Sequence, residues 1–231
     1  KFANAMRAKN IALWYLDEEG GVYQGNSELE WTNKLRLRVD RNTLTSKEKL
    51  LVWGDWQKKY FESQPGTASV EVVGSPNYDV MRPMYASALR QFDEVQTTGW
   101  SNFILINTRF TGANGVLGIE DLLSASSAIS KNVSNLETQT RICSDGELMF
   151  KFTRLALEIQ KEMPNERIVI RPHPAERPEL YAVLTKDNPN IRVTGEGDVG
   201  SWIRMSKCII HNGCSTAIQA NIAGKPVISF T

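Results

Sequence analysis

The chain has 231 residues, a length that corresponds to one large domain or two small ones. Its 27 basic and 26 acidic residues leave a formal net charge of +1, so the charge does not favour nucleic acid as a partner. Apolar residues make up 41% and charged residues 23%, which excludes a disordered, collagen-like or coiled-coil chain.

Three cysteines, Cys143, Cys208 and Cys214, are too few for a disulfide framework and have no CxxC spacing. We therefore expect reduced thiols and a cytoplasmic protein. Neither a signal peptide nor a membrane-spanning run is expected, which is compatible with peripheral attachment of the parent protein to a membrane. Because the chain begins at Lys1 and stops at Thr231 directly after an apolar run, we expect a fragment of a longer protein, truncated at both ends.

Eight apolar runs of strand length alternate with longer amphipathic stretches. They are residues 11–16, 50–53, 70–73, 103–107, 168–171, 191–193, 208–211 and 227–230. Most of these runs are continuously apolar, as strands are when helices cover both faces of a parallel sheet. The alternation predicts an α/β fold with parallel sheets.

Two helices are predicted from their apolar spacing and end signals. An apolar stripe over residues 148–163 predicts a helix that ends before Pro164. A shorter helix is predicted from Ser215 or Thr216 to Gly224.

The alternation of apolar runs and amphipathic stretches is interrupted at residues 96–101, Gln-Thr-Thr-Gly-Trp-Ser, before a new strand begins. This interruption predicts a boundary near residue 98 between two lobes. The first lobe would comprise residues 1–98 and the second lobe residues 99–231.

Both histidines follow predicted strands. His173 comes just after the fifth run, and His211 ends the seventh. In open parallel sheets, ligands bind beyond the carboxyl ends of the strands, so both imidazoles are candidate ligand-binding groups. The alternative interpretation is that each imidazole caps its strand and bonds a nearby backbone group.

Residues 213–216, Gly-Cys-Ser-Thr, combine a turn glycine with the start of a helix. Backbone amides at such a start, with the hydroxyls of Ser215 and Thr216, suit a phosphate or diphosphate. One phosphate is expected to lie between these groups, His173 and Arg171. Alternatively, Ser215 and Thr216 are ordinary capping residues.

An acidic cluster follows the first apolar run. Asp17, Glu18 and Glu19 are followed by Gly20 and Gly21, which allow the chain to turn away from a cleft. A carboxylate there is suited to take a proton from an attacking hydroxyl. The alternative is a solvated acidic turn.

Several cofactor and metal motifs are missing from the sequence. There is no HExxH, no Cys/His ligand set, no GxGxxG and no Walker sequence. We therefore expect neither a metal nor a cofactor, and dehydrogenase and P-loop NTPase activities have little support.

Four segments together resemble bacterial surface-carbohydrate biosynthesis proteins of the GT-B glycosyltransferase type. They are DEEGG at 17–21, VVGSPNYD at 72–79, RPHPAE at 171–176 and HNGCSTAIQANIAGKPVISF at 211–230. The last two are the most specific, and the resemblance covers most of the chain. It implies two Rossmann-like lobes facing a cleft, with the donor nucleotide on the second lobe.

More distantly, the chain is similar to the CMP-sugar-using Kdo and sialic acid transferases. That similarity implies Glu18 as general base and Glu19 as its neighbour, with Asp17 as the alternative. It also implies that His173 contacts the donor phosphate. At position 219 the chain departs from the family pattern, because many relatives have Glu where this chain has Gln219. The residues predicted to bind donor phosphate or nucleotide are Arg171, His173, Pro174, His211, Asn212, Gly213, Cys214, Ser215, Thr216 and Gln219.

The resemblance implies a metal-independent, inverting transfer from a nucleotide-sugar, with a CMP-activated acidic sugar as the expected donor. The acceptor would be a hydroxyl of a surface polysaccharide, such as capsule or lipopolysaccharide. Three alternatives stay open: a CDP-glycerol glycerophosphotransferase, a UDP-sugar 2-epimerase, and a nucleotide-sugar-binding subunit without catalysis. The oligomeric state is left open.

Overall fold

The computed structural model describes residues 2–17, 27–36, 38–120, 123 and 135–230. The chain forms two compact units, Lys1–Val80 (unit 1) and Met81–Thr231 (unit 2). Each unit contains a sheet in which every paired strand is parallel. The predicted α/β class with parallel sheets in two Rossmann-like lobes is confirmed.

Unit 1 is a three-stranded sheet with helices. Its elements are α1 (Phe2–Ala8), β1 (Trp14–Leu16), α2 (Glu28–Arg36), a 3-10 turn (Arg41–Thr43), β2 (Lys49–Val52), α3 (Asp55–Ser63), β3 (Ser69–Val72) and α4 (Pro76–Asp79). The strand order is β1-β2-β3. Leu50 and Val52 of β2 are fully buried and pack with Phe61 of α3, so the central strand forms the middle of this core.

Unit 2 contains the larger sheet. Its elements are a 3-10 turn (Pro83–Tyr85), α5 (Ala86–Gln96), β4 (Phe103–Asn107), α6 (Thr111–Asn114), α7 (Asn135–Glu162), β5 (Ile168–Arg171), α8 (Glu179–Thr185), β6 (Ile191–Val193), α9 (Val199–Met205), β7 (Ser206–His211), α10 (Thr216–Ile222) and β8 (Val227–Ser229).

The strand order in unit 2 is β6-β5-β4-β7-β8. The chain starts at the central strand β4, adds β5 and β6 on one side, and then returns to place β7 and β8 on the other side. Such a reversal between neighbouring strands is a topological switch point, where the connections leave the sheet in opposite directions and open a crevice. In unit 2 the switch point lies between β4 and β7.

The two faces of this sheet form separate apolar clusters. Ile106 of β4 packs on the face that also contains Phe152 of α7. Its neighbour Leu105 packs on the opposite face, with Trp202 of α9. Because side chains alternate along a strand, Asn107 at the end of β4 points to the face of Leu105.

All eight predicted strands are present among the described residues, and β4, β5 and β6 have the predicted bounds. The helix predicted over residues 148–163 is α7, which begins earlier, at Asn135. The helix predicted after Ser215 is α10. None of the helices in the described ranges combines the length and the apolar character that a membrane crossing requires.

The division between the units falls at residues 80 and 81, earlier than the predicted boundary near residue 98. Helix α5 belongs to unit 2 because Asp93 forms a buried ion pair of 2.6 Å with Arg204 of α9. Thr98 and Gly99 have φ values of 51° and 77°, so the chain turns sharply as α5 ends. A helix end of this kind has the same small and polar residues as a linker.

Candidate functional site

The carboxyl ends of the central strands of unit 2 bring three sequence-predicted segments to one edge of the sheet. Asn107 of β4 pairs in register with Arg171 of β5 on one side and with His211 of β7 on the other. Since neighbouring strands lie about 4.8 Å apart, the three positions span about 10 Å. The segments RPHPAE and HNGCST therefore leave the sheet on either side of the end of β4.

His211 caps the turn that follows β7. Its Nδ1 accepts hydrogen bonds from the amides of Gly213, at 2.9 Å, and Cys214, at 3.3 Å. A ring nitrogen that accepts carries no proton, so the neutral imidazole has its hydrogen on Nε2. Burial lowers the pKa of His211, which favours this neutral form.

His173 forms the same kind of cap after β5. Its Nδ1 accepts the amide of Ala175 at 3.1 Å, so Nε2 again carries the hydrogen in the neutral ring. Pro174 follows at the second position of this four-residue turn, where the fixed φ of proline is favoured. Each imidazole therefore bonds a nearby backbone group, as in the alternative interpretation of the sequence. Among the described residues, no group accepts a hydrogen bond from the Nε2–H of either ring.

A buried carboxylate, Glu176, connects the His173 turn to the rest of unit 2. It accepts from the amide of His173 at 3.1 Å, from Oγ1 of Thr108 at 3.1 Å and from Oη of Tyr181 at 2.6 Å. Sequence reasoning gave Glu176, Thr108 and Tyr181 no role. The sequence signal was the spacing His-x-x-Glu, which matches a capping box in which the fourth side chain returns to the first amide.

Two asparagines bridge the switch point. Nδ2 of Asn107 donates to Oγ1 of Thr216 at 2.9 Å, and Nδ2 of Asn212 donates to the carbonyl of Arg109 at 3.2 Å. Each bond crosses between the end of β4 and the segment that follows β7. Thr216 is thereby held beside Asn107, which sequence reasoning did not anticipate.

The guanidinium of Arg171 is bonded to the loop that follows β6. Its two terminal nitrogens donate to the carbonyls of Glu196, at 2.5 Å, and Gly197, at 2.6 Å. Its Cζ also lies 5.9 Å from the ring centre of Trp202. These contacts fasten the loop after β6 to β5, and burial lowers the pKa of Arg171.

The turn at residues 213–216, which was predicted to bind phosphate, uses two of its backbone amides in hydrogen bonds within the protein. Gly213 adopts a φ of 85°, so the glycine turn is present. The amides of Gly213 and Cys214 are bonded to His211 rather than directed outward. Ser215 makes no side-chain cap to α10, and its exposed hydroxyl precedes the half-buried Gln219 by one helical turn.

The acidic segment belongs to unit 1. Asp17 is buried directly after β1, where its Oδ2 accepts from Nε2 of Gln57 at 2.8 Å and its Oδ1 pairs with Arg38 at 3.4 Å. Glu18 and Glu19, the predicted general base and its neighbour, lie outside the described residues.

Metal-ligating side chains do not cluster in the ranges that the structure describes. No three His, Cys, Asp or Glu residues there come close enough together to hold a metal ion. The expectation that neither a metal nor a cofactor takes part stays a prediction.

No protein-family model and no curated protein matches the sequence. Among solved structures, UDP-GlcNAc 2-epimerase of Methanocaldococcus jannaschii is similar with a TM-score of 0.47 and 13% identity, over 99% of this chain and 62% of that one. The wall teichoic acid polymerase TagF is similar with a TM-score of 0.47 and 16% identity, over 94% and 45%. KpsC of Thermosulfurimonas dismutans, a beta Kdo 2,7 transferase, has a TM-score of 0.31 and 12% identity, over 94% and 78%. The chain thus spans 62% and 45% of the lengths of the first two proteins.

Proposed function

We propose that the chain is part of a GT-B-type glycosyltransferase that binds a nucleotide-sugar donor at the carboxyl edge of the unit 2 sheet. The supporting observation is that Asn107, His211 and Thr216 gather at the switch point between β4 and β7. His173 lies at the exit of the strand on the other side of β4. Nucleotides bind at this place in open parallel sheets.

The two histidines are suited to hold the donor phosphate. Both rings use Nδ1 as an acceptor within their own turns, so the neutral rings offer Nε2–H groups to phosphate oxygens. The hydroxyls of Ser215 and Thr216 add further donors. Because the turns fix the rings before the ligand arrives, charge that develops on the phosphate meets donors that need no rearrangement. Arg171 then stabilises the loop after β6.

The reaction proposed is a single displacement. The acceptor oxygen bonds to the anomeric carbon of the sugar, and the bond from that carbon to the phosphate oxygen breaks. The acceptor proton passes to the carboxylate of Glu18, with Glu19 or Asp17 as the alternative base, and the nucleoside monophosphate leaves with the electron pair. One such displacement inverts the configuration of the anomeric carbon. The proposed substrates are a CMP-activated acidic sugar and a surface polysaccharide.

Thermal unfolding with CMP, CDP, UMP and UDP tests the proposal. A ligand at about 100 times its Kd stabilises the folded state by about 2.7 kcal/mol, so preferential binding of CMP raises the unfolding temperature most. His173→Ala and His211→Ala should each reduce that increase, and Glu94→Ala, at an exposed position of α5, should leave it unchanged. The proposal fails if none of the four nucleotides stabilises the chain.

The same panel distinguishes the alternatives. Preference for CDP favours a glycerophosphotransferase, and preference for UDP favours an epimerase, which would also exchange the C2 hydrogen of its sugar with solvent deuterium. A binding subunit without catalysis would bind nucleotide in the parent protein, and Glu18→Gln there would change no turnover.

A further inference from the structure

Glu176 is a buried acidic residue that has no role in the phosphate site proposed above. Its residue is 3% exposed, and it forms no ion pair within the part of the chain that the structure describes. A buried carboxylate is costly unless hydrogen bonds satisfy it. All three groups that contact it donate to it, namely a backbone amide and two hydroxyls, so hydrogen bonds satisfy both of its oxygens.

The carboxylate closes the turn that contains His173. The amide of Glu176 donates to the carbonyl of His173 at 2.7 Å, and the side chain of Glu176 accepts the His173 amide in return. Inside this closed turn, the amide of Ala175 lies 3.1 Å from Nδ1 of the imidazole. The geometry of the turn therefore determines which ring nitrogen acts as the acceptor.

Two distant anchors hold the carboxylate in place. Thr108 follows β4, and its own amide bonds the carbonyl of Arg171 at 3.2 Å, which continues the ladder between β4 and β5. Tyr181 belongs to α8 and is fully buried. Burial, and after it the charge of Glu176, raises the pKa of Tyr181, so the phenol keeps its proton and remains a donor.

We infer that Glu176 is a positioning residue that fixes the orientation and the tautomer of the His173 imidazole. It keeps the proton of the neutral ring on Nε2 because the closed turn directs the amide of Ala175 at Nδ1. The consequence for donor binding rests on the proposed function, whereas the positioning itself does not.

Nitrogen NMR of the imidazole rings tests the positioning without any ligand. The chain has only two histidines, so His211→Asn leaves the ring of His173 as the sole signal. The neutral ring, observed in mildly alkaline solution, should show a protonated Nε2 and a bare Nδ1. Glu176→Ala should shift both nitrogens toward the average of two exchanging tautomers.

Two further variants separate positioning from general stability. Glu176→Gln keeps an oxygen that accepts the His173 amide, so it should retain the original nitrogen shifts. Tyr181→Phe removes the 2.6 Å bond to Glu176 and should lower stability, but the tautomer should be unchanged because Thr108 still holds the carboxylate. The inference is overturned if Glu176→Ala leaves the spectrum unchanged, or if Tyr181→Phe alters it as much as Glu176→Ala does.

A double-mutant cycle on CMP affinity tests the link to His173. Glu176→Ala should weaken CMP binding about tenfold, the size expected for the loss of one hydrogen bond to an anion. The same change made in the His173→Ala variant should not weaken CMP binding further, because substitutions of residues that act through one another do not have additive effects. An equal loss in both backgrounds would contradict the inference. If CMP does not bind but the NMR result holds, the proposed function fails while the positioning stands.

Discussion

Nδ2 of Asn107 donates a hydrogen bond of 2.9 Å to Oγ1 of Thr216, 109 residues later in the chain. The next residue, Thr108, points to the opposite face of the sheet and donates to Glu176, 68 residues later. The end of β4 therefore anchors both histidine-containing segments, one on each face. This arrangement ties the geometry of the site to the central strand of unit 2.

The bond between Asn107 and Thr216 should be measurable through stability. Thr216→Val leaves the buried amide nitrogen of Asn107 without its acceptor, and we expect the free energy of unfolding to fall by about 1–2 kcal/mol. Thr216→Ser keeps the hydroxyl and should retain most of the stability. Denaturant unfolding of the two variants makes the comparison, and equal midpoints for both would contradict the role given to this bond.

The sequence was sufficient to predict the strands of unit 2. Buried parallel strands consist of continuous apolar residues, and the runs at 103–107, 168–171 and 191–193 end where β4, β5 and β6 end. The positions of His173 and His211 at strand exits followed from the runs at 168–171 and 208–211. Local composition is enough for such features because they depend on neighbours within a few residues.

The contacts of the site depended on distant residues and were not predicted. Sequence order does not show that Thr108 meets Glu176 or that Asn107 meets Thr216. The guanidinium of Arg171 bonds the loop after β6, a partner that only the pairing of β5 with β6 brings near. The lobe boundary was expected near residue 98, but the units divide at residues 80 and 81. The small and polar residues at the end of α5 resemble those of a linker, so local sequence does not distinguish the two.

The buried ion pair between Asp93 of α5 and Arg204 of α9 should contribute much of the stability with which α5 packs on α9. Its side chains are 3% and 7% exposed, so Asp93→Ala leaves a buried guanidinium with only its longer ion pair, of 3.7 Å, to Asp198. We expect a loss of about 3–5 kcal/mol in the free energy of unfolding of unit 2. Glu94→Ala, which breaks the exposed pair with Arg90, should cost less than about 1 kcal/mol in the same denaturant titration. Similar losses for both variants would refute this assignment.

The cap formed by His211 should make unit 2 sensitive to acid. Burial lowers the pKa of His211 in the folded state from its usual 6.5, so the ring contributes stability above that value. The contribution is lost as the pH falls below 6.5 and through the lowered folded value, because protonated Nδ1 no longer accepts the two amides. His211→Asn supplies an oxygen acceptor that does not titrate.

Unfolding of the two proteins between about pH 7.5 and pH 5, on either side of the ordinary histidine pKa, makes the test. The wild-type chain should lose stability relative to His211→Asn as the solution is acidified. Parallel pH profiles would show that the ring is not a titrating cap.

In unit 1, the ion pair of Glu48 with Arg7 should produce a stability change at lower pH. The carboxylate accepts from Nε and Nη2 of Arg7, each at 2.8 Å, and from the amide of Thr45 at 2.7 Å. The hydrogen bonds from Arg7 are the largest cause that lowers the pKa of Glu48 from 4.5 to about 2. The carboxylate therefore contributes stability above pH 4.5, and the contribution is lost as the pH falls through about 2.

Glu48→Gln should accordingly destabilise unit 1 near neutral pH, because it replaces an ionised acceptor of three donors by a neutral amide. The difference from the wild-type chain should shrink steadily below pH 4.5 and become small as the pH falls through about 2, because the natural carboxyl is then protonated as well. Glu71→Gln is the matched control, since the pair of Glu71 with Lys49 is largely exposed and contributes little. A stability difference for Glu48→Gln that does not change with pH would mean that packing, rather than the charge of Glu48, holds α1 to the start of β2.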